Sequence, residues 1–313
     1  MESSASSIHE KPTRWNFFSR MMDNPVITKE LKGRMRGRQG FTMLTVYLAL
    51  ISFFIGLVYV FLATNGSISS SDPSYLQTVG KVIFSTVVLL ELLMVSFIGP
   101  ALTSGAISSE RERQTFDLLR TSLLSARSLV FGKLGSAVVY LLLLIFTAIP
   151  VQSLAFFLGG VGMAEMVIST LMLVVSAIFF CALGLFFSSF AKRTLVATVS
   201  SYATILLSFI FLLVLLFMLS AFDSTFSSNS TVRKDMMTIL FWFLFSTNPF
   251  FAAAVSEAIL IEDQSLFSTT SGFIWGTTSF PLPSPWMIYV VFYAVITILL
   301  IWLSVFFVGR PDR

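Results

Sequence analysis

The residue types that enzymes use for chemistry are scarce in this 313-residue chain. The single histidine, His9, lies in a serine-rich N-terminal tail, and the single cysteine, Cys181, lies within a long apolar stretch. The acid Glu91 stands alone inside another apolar stretch. An intramembrane enzyme would need paired acids, clustered histidines, or a serine with a lysine. The sequence therefore argues against catalysis and against a metal site in this chain.

A short charged segment, residues 108–119, stands out in an otherwise apolar chain and reads SSERERQTFDLL. Ser109 followed three residues later by Glu112 has the pattern of a capping box, so we predict that a helix begins there. One face of that helix would carry three apolar residues at helical spacing: Phe116, Leu119 and Leu123. A solvated loop does not need such a face. We expect it to dock into a groove of a soluble partner; packing on its own bundle is the alternative.

The composition indicates a membrane protein. Hydrophobic residues make up 56% of the chain and charged residues 12%, whereas a soluble domain has about 25% charged residues. A helix needs about 20 mostly apolar residues to cross a bilayer core. Six stretches meet this criterion: Phe41–Ala63, Val82–Leu102, Leu129–Leu158, Glu165–Phe190, Thr194–Ala221 and Trp286–Val308. The predicted fold class is an all-α integral membrane protein with six transmembrane helices.

Residues 222–285 are expected to form an external region before the last span. Met236–Ile261 is apolar enough to be a seventh span, but Asn248-Pro249 interrupts it and Glu257 lies inside it. Proline disfavours a helical conformation of the residue before it. We therefore predict two short helices that dip into the outer leaflet without crossing: Asp235–Thr247 and Pro249–Ile261. A full span is the alternative.

The distribution of lysine and arginine predicts the orientation of the chain in the membrane. With six spans and the N-terminus inside, 17 of the 20 basic residues fall in cytoplasmic segments. The outer side keeps three: Lys81, Arg233 and Lys234. Both termini are therefore expected in the cytoplasm. The enrichment of basic residues in cytoplasmic segments accounts for the excess of positive charge, so no nucleic-acid partner is expected.

Residues 21–38 are expected to form an amphipathic helix in the membrane interface, after a flexible cytoplasmic tail of residues 1–20 and before a six-span domain of residues 39–313. Apolar residues recur at every fourth position and would share one face: Ile27, Leu31 and Met35. Basic residues, among them Lys29 and Lys32, populate the remaining surface. Such a helix rests its apolar face on membrane lipid and turns basic residues toward anionic headgroups. A plain basic flank of the first span is the alternative.

The segment Ile107–Lys133 contains a Glu-Arg-Glu run, then T-x-x-L-L-x-T, then Leu-Ser, then Gly-Lys at the start of the third span. The residues in this pattern are Glu110, Arg111, Glu112, Thr115, Leu118, Leu119, Thr121, Leu124, Ser125, Gly132 and Lys133. The pattern resembles the cytoplasmic loop of bacterial ABC transporter permeases of the type-2 exporter family. That family often has glycine where this chain has Gln114, a difference that we expect not to affect docking. Weaker resemblances cover the rest of the chain, including the segments that begin at Asn24-Pro25 and Asn248-Pro249.

This resemblance implies a permease subunit of an ATP-driven exporter in the bacterial inner membrane, which is the plasma membrane. Two such subunits, either two copies or a copy and a related permease, would form the substrate pathway, and separate ATPase subunits would bind below. The loop would supply the coupling helix, with these residues toward the ATPase: Glu110, Arg111, Glu112, Thr115, Phe116, Leu118, Leu119 and Leu123. The chain has no G-x-x-x-x-G-K-[ST] phosphate loop, so ATP and Mg are expected in the partner and no cofactor is expected here.

Glu91 lies deep in the second predicted span. A charged side chain at the bilayer centre costs about 2.5–3.5 kcal/mol on insertion scales, so Glu91 should face the bundle or a wet cavity. It would line the pathway or pair across a dimer, or it would be protonated and hydrogen-bonded to a neighbouring helix. Two other functions stay open for the chain: a non-transporting ABC membrane subunit with a mechanical or signalling role, and an ATP-independent channel.

Overall fold

The computed structural model describes residues 38–65, 73–115, 125–225, 231–262, 266–272 and 276–310, together with Glu30 and Gly33. These residues form nine helices and one hairpin of two strands. The helices are α1 (Arg38–Asn65), α2 (Pro73–Thr103), α3 (Ser108–Glu112), α4 (Ala126–Phe157), α5 (Met163–Phe190), α6 (Thr194–Thr225), α7 (Thr231–Ser246), α8 (Pro249–Glu262) and α9 (Pro285–Gly309). The strands β1 (Ser268–Gly272) and β2 (Gly276–Pro283) precede α9.

Six of the described helices are long and apolar enough to cross a membrane: α1, α2, α4, α5, α6 and α9. The six predicted spans are therefore confirmed. The pair α7 and α8 also passes the test of apolar length, but its two helices are bent by 112° at the break between them. The prediction of two short helices broken at Asn248-Pro249 is confirmed: α7 begins four residues before its predicted start and ends one residue before its predicted end, and α8 ends one residue later than predicted. Their position in the outer leaflet stays a prediction.

The break between α7 and α8 follows from Asn248 and Pro249. The Asn248 Oδ1 accepts hydrogen bonds from the backbone N–H groups of Phe250 (3.1 Å) and Phe251 (3.3 Å), so Asn248 caps the start of α8. Pro249 occupies the first helical position, where its missing N–H costs nothing. The Asn248 Nδ2 donates to the backbone carbonyl of Ser208 on α6 at 2.9 Å. This hydrogen bond attaches the bend between α7 and α8 to α6.

The helices α2, α4 and α5 form the interior of the bundle. Between 44% and 50% of the residues in their apolar windows are buried, against 11% in α1 and 17% in α6. The backbones of α2 and α5 approach closely at Gly184, where an added Cβ would lie 2.9 Å from the Pro100 Cα. Only a residue without a Cβ permits that approach, as is common where membrane helices pack tightly.

The hairpin is not predicted by the sequence pattern. Its strands pair antiparallel from Ser268 opposite Pro283 to Gly272 opposite Gly276. The Trp242 Nε1 of α7 donates to the Pro283 carbonyl at 2.9 Å, and so joins the hairpin to α7. The strands consist largely of serine, threonine, glycine and proline, without the alternating apolar pattern by which strands are recognised.

One end of the bundle, the loop end, consists of residues 104–115, the start of α4 and residues 188–198. Glu30 lies there beside Lys133 of α4. The last residues of α9 also lie there, because Phe306 lines a groove together with Arg127. The two ends of the described chain therefore lie at the same end of the bundle, which agrees with an even number of crossings.

Candidate functional site

The segment after α2 is anchored to α5 by a buried serine. The Ser188 Oγ accepts hydrogen bonds from the backbone N–H groups of Ile107 (2.9 Å) and Ser108 (3.0 Å). These donors lie at the start of α3, where a helix has no carbonyl of its own to satisfy them. Ile107, Ser108 and Ser188 are all fully buried. The charged loop is therefore fixed at its base by a side chain about 80 residues away in sequence.

The capping box predicted for Ser109 and Glu112 is wrong. α3 begins one residue earlier, its cap residue is Ile107, and the Ile107 side chain forms no capping hydrogen bond. The Glu112 carboxylate instead accepts from the backbone N–H of Thr194 (3.0 Å) and from its hydroxyl (2.6 Å). It thus caps the first turn of α6. The physical reason is competition: Ser188 already satisfies the start of α3, while α6 presents an unsatisfied N-terminus to the acid.

The loop helix ends abruptly after Glu112. Gln114 has a φ of 56°, in the left-handed region. The backbone N–H of Thr115 donates to the Glu110 carbonyl (3.0 Å), and the N–H of Gln114 donates to the Arg111 carbonyl (3.1 Å). This pair of bonds is a Schellman motif, which favours glycine at the left-handed position. The resemblance to the exporter-family loop, in which glycine often stands at this position, is the signal that could have predicted this turn.

A single helix from residue 109 to residue 123 is therefore not formed, and that part of the prediction is wrong. Glu110, Arg111, Glu112 and Thr115 are described, and Arg111 is half-buried on α3. The predicted apolar anchors lie outside the described residues: Phe116, Leu118, Leu119 and Leu123. The same holds for five residues of the predicted interfacial helix: Ile27, Lys29, Leu31, Lys32 and Met35. Their roles stay predictions.

A buried lysine joins the loop to α4 and to the N-terminal segment. The Lys133 Nζ lies 3.3 Å from Glu30 Oε1 and 3.7 Å from Glu110 Oε1. The Ser136 hydroxyl donates to Glu30 Oε2 at 2.7 Å, and the Thr115 hydroxyl donates to Glu110 Oε2 at 2.6 Å. A buried cation is stable only when it is paired and hydrogen-bonded. The sequence marked Lys133 by its Gly-Lys pattern but did not identify its two acidic partners.

Glu91 is fully buried within the bundle. Its Oε1 accepts a hydrogen bond from the Gln152 Nε2 of α4 at 3.0 Å. Among the described residues, Glu91 Oε2 and Gln152 Oε1 have no hydrogen-bond partner. The interior position agrees with the cost of exposing an acid to lipid. The hydrogen bond from Gln152 agrees with the alternative in which Glu91 bonds to a neighbouring helix. A role of Glu91 in a pathway stays a prediction.

A second buried acid lies outside the residues that the sequence pattern marked as a candidate site. Glu257 of α8 is 4% exposed and accepts a hydrogen bond from the Ser169 hydroxyl of α5. In the sequence, its presence in an apolar stretch only disfavours a seventh span. The reasoning applied to Glu91 would also have predicted a polar partner for Glu257, because an acid in that setting must be satisfied by the protein.

Residues 25–309 match the family model of the ABC-2 family transporter protein. No curated protein matches the chain significantly. Proteins of this family are membrane permease components of ABC transporters, which associate with an ATP-binding subunit. With its six spans, the chain is a multi-pass membrane protein. Since the match extends over all six spans and over the loop end, the chain belongs to the ABC-2 transporter family.

Proposed function

We propose that this chain is the permease subunit of an ATP-driven exporter. It would form the substrate pathway as a dimer with a second copy or a related permease. ATP and Mg would bind to separate subunits that dock on the loop end. Family membership supports the permease role. The resemblance of residues 107–133 to the loop of the exporter family supports the coupling role and the exporter class.

The coupling role is supported by the number of segments that are bonded to the loop. The loop is bonded to α5 through Ser188 and to α6 through Glu112. It is bonded to α4 and to the N-terminal segment through Lys133. A connection that only joins two spans needs none of these bonds. A displacement of the loop by a docked ATPase would therefore be carried to three spans together.

The charge distribution supports a cytoplasmic loop end. Most described basic residues lie there: Arg111, Arg113, Arg127, Lys133, Lys192, Arg193 and Arg310. Cytoplasmic segments of membrane proteins are enriched in such residues. We propose that both termini lie in the cytoplasm of a plasma-membrane protein. The external region of residues 222–285 then includes α7, α8 and the hairpin, and the 112° bend supports two helices that do not cross.

The docking test removes two apolar side chains, as Phe116→Ala together with Leu119→Ala. The matched control removes two exposed apolar side chains of α7, as Leu240→Ala together with Phe243→Ala. Burial of one such side chain is worth about 1.5–3 kcal/mol. Affinity for the purified ATP-binding subunit should therefore fall by at least about 100-fold in the loop variant and stay unchanged in the control. Titration calorimetry in nanodiscs measures this.

Unchanged affinity of the loop variant would contradict the docking proposal. The same nanodisc and vesicle preparations separate the alternative functions. A chain that binds the ATP-binding subunit but moves no solute or lipid in any vesicle assay would be a non-transporting subunit. A chain that conducts ions without the ATP-binding subunit would be a channel.

A further inference from the structure

An open groove of about 580 Å³ lies between the first turns of α4 and the last turns of α9. Its walls are apolar and aromatic: Phe131, Ile298, Ile301, Trp302, Val305 and Phe306. The span from Ile298 to Phe306 covers eight helical steps, about 12 Å along the helix axis. One leaflet of a bilayer core is about 15 Å thick. The groove therefore has the length and the surface chemistry to receive a single acyl chain.

The mouth of this groove is positively charged. Arg127, exposed in the first turn of α4, lines the groove. The Arg310 guanidinium lies 4.1 Å from the centroid of the Phe306 ring. That ring stacks in turn on Trp302, with centroids 5.9 Å apart and an interplanar angle of 10°. Trp302 and Phe306 therefore share one face of α9, and Arg310, the residue after the helix, places its guanidinium group over the same face.

Among the described residues, no acidic side chain occupies the two guanidinium groups. In the part of the chain that the structure describes, neither Arg127 nor Arg310 forms a salt bridge with a carboxylate. A guanidinium group matches a phosphate group with two parallel N–H donors. An apolar groove alone would accept any hydrocarbon, and a basic surface alone would accept any anion. A groove with both properties, in this order along the membrane normal, matches a phospholipid.

We propose that the groove between α4 and α9 binds an anionic phospholipid. One acyl chain lies against Ile301 and Trp302, and Arg127 and Arg310 bind the headgroup phosphate. The lipid bridges the two spans α4 and α9. This site is independent of the direction of transport and of ATPase docking.

Tryptophan quenching tests the proposal directly, because Trp302 forms part of the wall. The purified chain is placed in bilayers that contain phospholipid with brominated acyl chains, either phosphatidylglycerol or phosphatidylcholine. The signal of Trp302 is the difference between the natural chain and Trp302→Phe. Brominated phosphatidylglycerol should quench this signal at a lower mole fraction than brominated phosphatidylcholine. The expected preference is about five-fold for each arginine, from about 1 kcal/mol per basic residue near an anionic surface.

The variant Arg127→Gln with Arg310→Gln should abolish the preference for phosphatidylglycerol. Lys192→Gln removes an exposed charge from the turn between α5 and α6 at the same end of the bundle, and it should keep the preference. Arg127→Lys with Arg310→Lys keeps both charges and should retain part of the preference, which guards against loss through misfolding. The proposal is overturned if both lipids quench Trp302 equally in the natural chain. It is also overturned if neither lipid does, as when a second copy covers the groove, or if the Gln variant keeps the full preference.

Discussion

The inner spans α2, α4 and α5 differ from the outer spans α1 and α6 in what surrounds them, although all five are similarly apolar. The inner spans contain the buried acid Glu91 with its amide partner Gln152, and the close backbone contact at Gly184. The outer spans expose large apolar side chains, such as Phe41 of α1 and Phe217 of α6. Hydropathy is therefore a measure of membrane insertion and not of burial in protein. Lipid or a second permease must cover the outer faces, because apolar side chains at membrane depth face one or the other.

The largest expected effect comes from adding one methyl group to an inner and to an outer span. Gly184→Ala places a Cβ 2.9 Å from the Pro100 Cα, so a backbone must shift. The free energy of unfolding should fall by up to about 3 kcal/mol. Gly56→Ala on α1 meets no atom within 4 Å and should gain up to about 1 kcal/mol from helix propensity. Thermal unfolding in detergent compares the two, and equal losses would contradict the division into inner and outer spans.

An intermediate effect is expected from the polar pair inside the bundle. Glu91→Leu leaves the Gln152 amide without the carboxylate that now accepts its hydrogen bond, and the free energy of unfolding should fall by about 2 kcal/mol. Glu91→Leu combined with Gln152→Leu should restore part of this loss, because no buried amide is then left unpaired. A double-mutant cycle of unfolding midpoints measures the coupling.

The variant Glu91→Gln separates the two roles of this residue. It keeps the shape and the hydrogen bond but removes the titratable group. Transport that is impaired at normal stability would assign Glu91 to the pathway. Normal transport at all pH values, together with a destabilised Glu91→Leu, would show that the residue only stabilises the bundle.

The smallest effect is expected at the turn that ends α3. Gln114 has a φ of 56°, a conformation that costs a residue with a Cβ about 1 kcal/mol. Gln114→Gly should therefore raise the free energy of unfolding by a fraction of that amount, because glycine also loses more entropy on folding. Gln114→Ala keeps the Cβ and should give no gain. A stabilising Gln114→Ala, measured in the same unfolding assay, would show that the turn is not strained.

Local features of the sequence predicted most of the fold. Each span was recognised from its own length and composition, and the break at Asn248-Pro249 from the restriction that proline imposes on its predecessor. The hairpin was missed because its strands lack an apolar pattern. For the candidate site, the sequence predicted only the segment of the chain and not the partners of its residues. Its bonds join residues that are distant in sequence, with a separation of 61 residues for Glu91 and Gln152 and of 82 residues for Glu112 and Thr194.

The sequence by itself determined the number of spans, the family and the position of the charged loop, since these depend on composition, on local pattern and on residue order. Only the tertiary structure decided which partner each polar group has. The sequence pattern predicted that Glu112 would bond within its own helix. In the structure it caps α6, because Ser188 already satisfies the start of α3. The sequence pattern predicted no partner for Lys133, but packing brings Glu30 and Glu110 within reach of it. A buried polar group must be satisfied, and the partner is the group that packing places within reach.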